Sequence, residues 1–202
     1  MEDLIKRVAI AAGPLYVASK FYKHTIWPHV LGVAKLAREF AEKQGANAHI
    51  AELGGLLHDI GAALFGSKDH HITGVKEATA ILIECKCPLE IVGPIASTIY
   101  THRGSQRIAF EIPEGMCVAA ADAADHFQNV DELWLVHKID LKISPLRTFQ
   151  MVSDKLERDW QKTSSEIKTL LDGSYSAARQ KLLKIANGDI KPRQRSASLI
   201  VA

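Results

Sequence analysis

An all-α fold is what this sequence predicts, on two observations. Apolar residues recur at steps of three and four along most of the chain, and no segment shows the apolar–polar alternation of a half-buried strand. Proline and glycine also sit at the edges of these stretches: Pro28 and Pro88 stand where a helix can begin, Gly45 and Gly61 where one can stop.

The elements follow in order. Asp3 to Ala12 reads as a first amphipathic helix, ended by Gly13-Pro14. The same stretch, "VAIAAGPLYVA", has the greasy character of a signal-peptide core, but Glu2 and Asp3 precede it and Gly13-Pro14 interrupts it, so the helix reading prevails. The next helix runs from Pro28 to Lys43. Another covers Ala48 to Asp59 and is expected to stop at Gly61. His71–Glu84, Pro88–Thr101 and Glu114–Phe127 follow, then Val130–Ile139 and Pro145–Ile185, the last expected to break near Gly173. From about residue 190 the tail, "DIKPRQRSASLIVA", is basic, then small and apolar, and reads as flexible.

The 202 residues suit one domain with an extension. Hydrophobic residues make up 47% and charged ones 24%, ordinary usage for a soluble protein, and no apolar run is long enough to span a bilayer. A net charge of +2 gives no strong signal for a nucleic-acid partner. Three cysteines, Cys85, Cys87 and Cys117, cannot all pair within the chain, which favours a reducing, cytoplasmic setting.

Chemistry concentrates in the histidines. Eight of the nine lie between His24 and His126, and His137 follows. His29 heads a stripe with Val33, Leu36 and Phe40, so it shares the inward face of its helix. His70 begins a stripe with Gly74 and Ala78, His102 follows Ile95 and Ile99, and Asp122 sits in the small-residue run "VAAADAAD". His58 and Asp59 close the greasy stretch "GGLLHDIG". Any one such residue reads best as a hydrogen-bonded core side chain. Six of them, at the ends or inner faces of five successive helices, form a donor set suited to iron, manganese, zinc or cobalt.

The ordered set His29, His58-Asp59, His70, His102, Asp122 resembles the HD-domain superfamily of metal-dependent phosphohydrolases. "HVLGVAKLAREFA", "GGLLHDIG", "HHITGVKEA", "IYTHRG" and "AAADAADHF" are similar to its successive motif segments, over residues 20 to 130. The resemblance implies an HD-type helical bundle in residues 1–130, with residues 131–202 as a helical extension packed on the same domain. It implies that His29, His58, Asp59 and Asp122 hold one metal, that His70 and His102 join Asp59 around a second, and that Asp59 bridges. The cofactors would be two divalent ions drawn from iron, manganese, cobalt, zinc or magnesium. His71 is an alternative to His70, and Asp125, His24 and His126 are alternatives or supporting neighbours.

The implied activity is hydrolysis of a phosphate ester or phosphoanhydride, preferably of a nucleotide, by a metal-activated hydroxide, with His58 and Asp59 as catalytic residues. Arg103, then Lys68, are the candidate phosphate-binding cations. Rival readings are an HD-type diiron oxygenase and a non-catalytic nucleotide-sensing module. The C-terminal third, with Trp134 and Trp160, either covers the pocket or forms a homodimer face.

Overall fold

The computed structural model describes residues 1–22, 25–103 and 108–195, and among them there is no strand. The helices are α1 (Glu2–Val17), α2 (Ile26–Gln44), α3 (Ala48–Leu57), α4 (Ile60–Phe65), α5 (His70–Glu84), α6 (Leu89–Thr101), α7 (Pro113–Gln128), α8 (Val130–Leu135), α9 (Pro145–Lys162) and α10 (Ser165–Ala186). A π-helical turn, Val136–Asp140, follows α8 directly. The all-α reading holds, and none of these helices is long and apolar enough to cross a membrane.

Two apolar cores share α2 and α3 as their partition. On one side Val30, Ala34, Leu53, Leu56 and Leu57 pack with Val8, Ala12 and Tyr16 of α1, Leu82 of α5, and Ile95 and Ile99 of α6. On the other, Val33, Ala37, Phe40 and Ala51 meet the alanines of α7, and beyond them Val152, Leu156, Leu171 and Leu182 of α9 and α10. Each of these large aliphatic side chains contributes about 1.5–3 kcal/mol through burial. The partition is thin because α2 and α3 cross closely: a Cβ on Gly55 would stand 2.8 Å from the Ala34 Cα. On the second side α7 is buried from Cys117 to Phe127 without a break. A helix buried all round must find internal partners for its polar groups, and α7 carries Asp122, Asp125 and His126.

Several boundaries differ from the sequence reading, each for a physical reason. α1 passes through Gly13-Pro14 to Val17. The carbonyl that Pro14 cannot bond belongs to exposed Ile10, while buried Tyr16 anchors the last turn. Gly61 lies inside α4 instead of ending α3, and the chain bends at His58-Asp59. α10 runs unbroken through exposed Gly173; the break falls at Thr163-Ser164, where the Ser164 side chain caps α10 by accepting from the Ile167 N–H. The three cysteines are free, buried thiols.

Candidate metal centre

Each histidine of the candidate set is fixed through Nδ1. His58, at the C-terminal end of α3, donates Nδ1–H to the Gly55 carbonyl at 2.7 Å. His70, first residue of α5, and His102, just past α6, do the same to Ser67 at 2.8 Å and Ile99 at 2.5 Å. His29, on α2, places Nδ1 2.8 Å from Asp125 Oδ2. With Nδ1 engaged, the Nε2 atoms of His58, His70 and His102 are left as lone pairs pointing inward, the tautomer a metal ligand requires.

Those atoms converge on two carboxylates. Asp59 Oδ2 lies 3.9 Å from His29 Nε2 and 3.7 Å from His58 Nε2. Its other oxygen lies 3.4 Å from His70 Nε2 and 3.8 Å from His102 Nε2. Each oxygen of Asp59 therefore faces its own pair of imidazoles. Asp122 Oδ1 closes the first group, 3.4 Å from His29 Nε2 and 3.9 Å from His58 Nε2. Donor atoms of His29, His58 and Asp59, and separately of Asp59, His70 and His102, fall within 4.8 Å of one another.

Two observations test whether a cation fits. The Nε2 atoms of His29 and His58 are buried without any hydrogen-bond partner. His70 and His102 bring their Nε2 atoms within 3.1 Å, although each Nδ1 already donates to a carbonyl. Facing lone pairs repel unless a proton or a metal lies between them. The donor set fits divalent transition metals at both positions.

A family model described as "HD domain" matches residues 26–126. The chain belongs to the HD-domain family. Among curated proteins it is 37% identical over 102 residues to the ribonuclease Y of Pseudothermotoga lettingae, 35% over 102 to that of Thermosipho melanesiensis and 33% over 102 to that of Bacillus pumilus. Each alignment takes in 50% of this chain and 18% of the relative, so the chain spans under a fifth of the proteins it matches. Among solved structures, the HD domain of the Listeria monocytogenes phosphodiesterase PgpH superposes with a TM-score of 0.38 at 17% identity, covering 92% of this chain and 98% of that one. The same domain in complex with cyclic-di-AMP gives 0.38 at 16%, covering 93% and 97%.

Electrostatics separates the HD-domain side chains into two kinds. Burial lowers the pKa of His58 and lowers that of His102 still further, keeping both imidazoles neutral. Burial opposes a charge on His29 too, but the neighbouring carboxylates of Asp122 and Asp125 raise it to about 10. Burial likewise opposes ionisation of Asp59, yet its carboxyl is held below the usual range by the imidazoles around it, among which His29 carries charge. Asp122 is also held low, against its burial, by His126, Lys162 and Lys155.

The last two lysines come from α9, beyond the segment matched by the family model. Lys162 Nζ donates to Asp122 Oδ2 at 2.6 Å and stands 3.3 Å from Asp159; Lys155 bonds both Asp159 oxygens at 3.1 Å. Asp122 thus keeps one oxygen on Lys162 and turns the other toward the histidines. Sequence reading missed this face of α9. Its signal was Lys155, Arg158 or Asp159, and Lys162 at helical spacing, with an acid among the bases.

The supporting candidates divide clearly. His126 joins the first group: it stacks on His29 at 4.8 Å and bridges Asp122 and Asp159, with Nδ1 at 3.3 and 2.9 Å. His71 turns away from the centre, toward Arg103 at 3.2 Å and the Tyr100 ring at 5.5 Å. Arg103 lines the cavity over the centre, whereas Lys68 is exposed and forms no part of its wall. His24 lies outside the described residues. Within the tail that begins near residue 190, Arg195 bonds Asp125 and Glu132; residues 196–202 lie outside the described residues.

Proposed function

We propose that this HD domain hydrolyses a phosphate ester or phosphoanhydride, with His29, His58, Asp59 and Asp122 holding one divalent cation and Asp59, His70 and His102 a second. The carrying observation is the division of Asp59, whose two oxygens face the Nε2 atoms of two separate pairs of imidazoles. Such a cation pair, when bound, lowers the pKa of water and offsets the charge that builds on phosphoryl oxygens. The chain supplies the rest. Carbonyl hydrogen bonds hold the imidazoles in the ligating tautomer, and Lys162 keeps Asp122 ionised and oriented. Arg103, past α6, and Arg158, on α9, line the cavity where phosphoryl oxygens would lie.

A nucleotide substrate is supported by the cavity itself, which encloses 370 Å³. Beside the polar centre, Leu133, Val136, Leu141 and Met151 line its wall, an apolar surface for a base next to cations for its phosphates. The relatives' name, ribonuclease Y, is that of an enzyme acting on a nucleotide polymer. With a net charge of +2, this chain is read as taking small nucleotides instead.

Manganese-loaded protein should release phosphate or nucleotide without dioxygen from a panel of nucleotides and simple phosphate diesters. The Asp122→Ala variant should abolish that turnover. Dioxygen uptake by the iron-loaded form, with no release from any ester, would replace this reading with the oxygenase.

A further inference from the structure

One buried network at the centre has no part in the chemistry above. Asp125 lies one turn beyond Asp122 on α7, almost fully buried, and its Oδ2 is the partner of His29 Nδ1. From the opposite side both Asp125 oxygens receive the guanidinium of Arg195, Nη1 to Oδ1 at 2.8 Å and Nη2 to Oδ2 at 3.0 Å. The same guanidinium grips Glu132 through Nε at 2.9 Å and Nη2 at 2.6 Å. The backbone also fastens this segment, with the Arg193 N–H on Asp131 at 3.2 Å and the Arg195 N–H on Glu132 at 3.0 Å.

A guanidinium is suited to this place. Asp125 and Glu132 are two buried carboxylates, and a planar fork can satisfy both at once; an ammonium cannot match that geometry. Gly32 gives an independent sign that the arrangement is built in. A Cβ there would overlap Asp125 Oδ1 and stand 3.1 Å from Arg195 Nη1, so α2 leaves room for the ion pair where it passes. An imidazole rotates about its own bond unless its far nitrogen is held. The His29 ring is held by Asp125, and the plane of Asp125 is set by Arg195, with Asn129 Nδ2 adding a bond to Oδ1 at 3.1 Å.

We propose that Arg195 is a positioning residue for the cation held by His29: it locks Asp125 from behind, and Asp125 aims His29 Nε2 into the centre. This rests on the metal reading above. It adds that a residue outside the family's matched segment sets the strength of one metal position and not the other.

The test uses the full chain stripped with chelator and titrated with manganese. In a His70→Ala, His102→Ala background, which keeps only the His29, His58 and Asp122 position, Arg195→Ala should weaken manganese binding about 10- to 100-fold. Arg195→Lys should fall between the parent and Arg195→Ala. Gly32→Ala should weaken the same position, although alanine is the better helix former. In the otherwise unaltered chain, Arg195→Ala should leave the affinity at the His70 and His102 position unchanged.

Equal affinity in Arg195→Ala and its background would overturn the proposal. So would equal loss at both positions, or loss of the helical circular-dichroism signal, since either marks a merely structural role. If the unaltered chain binds no manganese, the metal reading itself fails and the inference with it. If that chain binds two equivalents and Arg195→Ala changes neither, only the inference fails.

Discussion

Substituting alanine for Gly61 would separate two reasons for a glycine at this position, a helix stop and a close approach. A Cβ at residue 61 would stand 2.6 Å from the Gly74 nitrogen and from the Thr73 hydroxyl, and closer still to the His70 carbonyl oxygen. Two of these three are backbone atoms of α5, so no change of rotamer removes the overlap. Ordinary contact begins at 3.4 Å, so α5 must withdraw by about 1 Å. Overpacking of this kind costs about 3 kcal/mol at its upper end, and the gain in helix propensity returns roughly 1 kcal/mol. A net loss of about 2 kcal/mol corresponds to a fall in Tm of about 4–8 °C for a chain of this size.

The displacement also reaches the centre, because α5 begins with His70, whose Nε2 lies 3.4 Å from Asp59 Oδ1 and 3.1 Å from His102 Nε2. Calorimetry of chelator-treated protein, with metal equivalents counted by elemental analysis after reloading, reads both effects. Gly173→Ala is the control: nothing lies within 4 Å of a Cβ there, so the same exchange should raise the Tm slightly. If Gly61→Ala melts as high as Gly173→Ala and retains every metal equivalent, the close-approach argument is wrong.

The other expectations concern metal and protons. Asp59→Ala should remove most of the metal from both positions, whereas His70→Ala and His102→Ala should each lose one equivalent and His71→Ala none; elemental analysis of protein purified without chelator decides this. Stability should also peak near neutral pH in the chelator-treated protein. The buried imidazoles of His58 and His102 take up protons only on unfolding, so stability falls as pH drops below about 6.5. His29 has the opposite sign: raised to about 10, its contribution is full below the unfolded pKa of about 6.5 and is lost as pH climbs toward 10. Saturating metal replaces the His29 proton and should flatten the alkaline side, and a urea midpoint that ignores pH would count against these environments.

The candidate donors were legible because helical spacing carries direction. His29 shared a stripe with Val33 and Phe40, and the structure buries that stripe, so a polar atom placed there had to meet a partner. The choice between His70 and His71 was open in the sequence; their rings differ in that one meets His102 and the other Tyr100. What stayed hidden was tertiary. Gly61 reads as a stop from propensity alone, and only the approach of α5 reveals its use. Lys155 and Lys162 were missed because Asp122 lies 40 residues from Lys162 in the chain. Arg195 sat in a stretch whose composition suggested flexibility, with nothing local to announce two buried carboxylates 63 and 70 residues earlier.

Those separations give the centre a history during synthesis. Asp122 and Asp125 emerge after His29, His58, Asp59, His70 and His102, and α7 can bring its carboxylates to the histidines while α9 is still unmade. At about 5–20 residues per second, the 40 residues from Asp122 to Lys162 take about 2–8 s to add. In that interval the ribosome-bound chain already presents its acids but lacks the ammonium groups that neutralise them. If the proposed cations bind, a divalent ion would meet a more negative centre before α9 arrives than after it, because α9 brings Lys155 and Lys162 to Asp122.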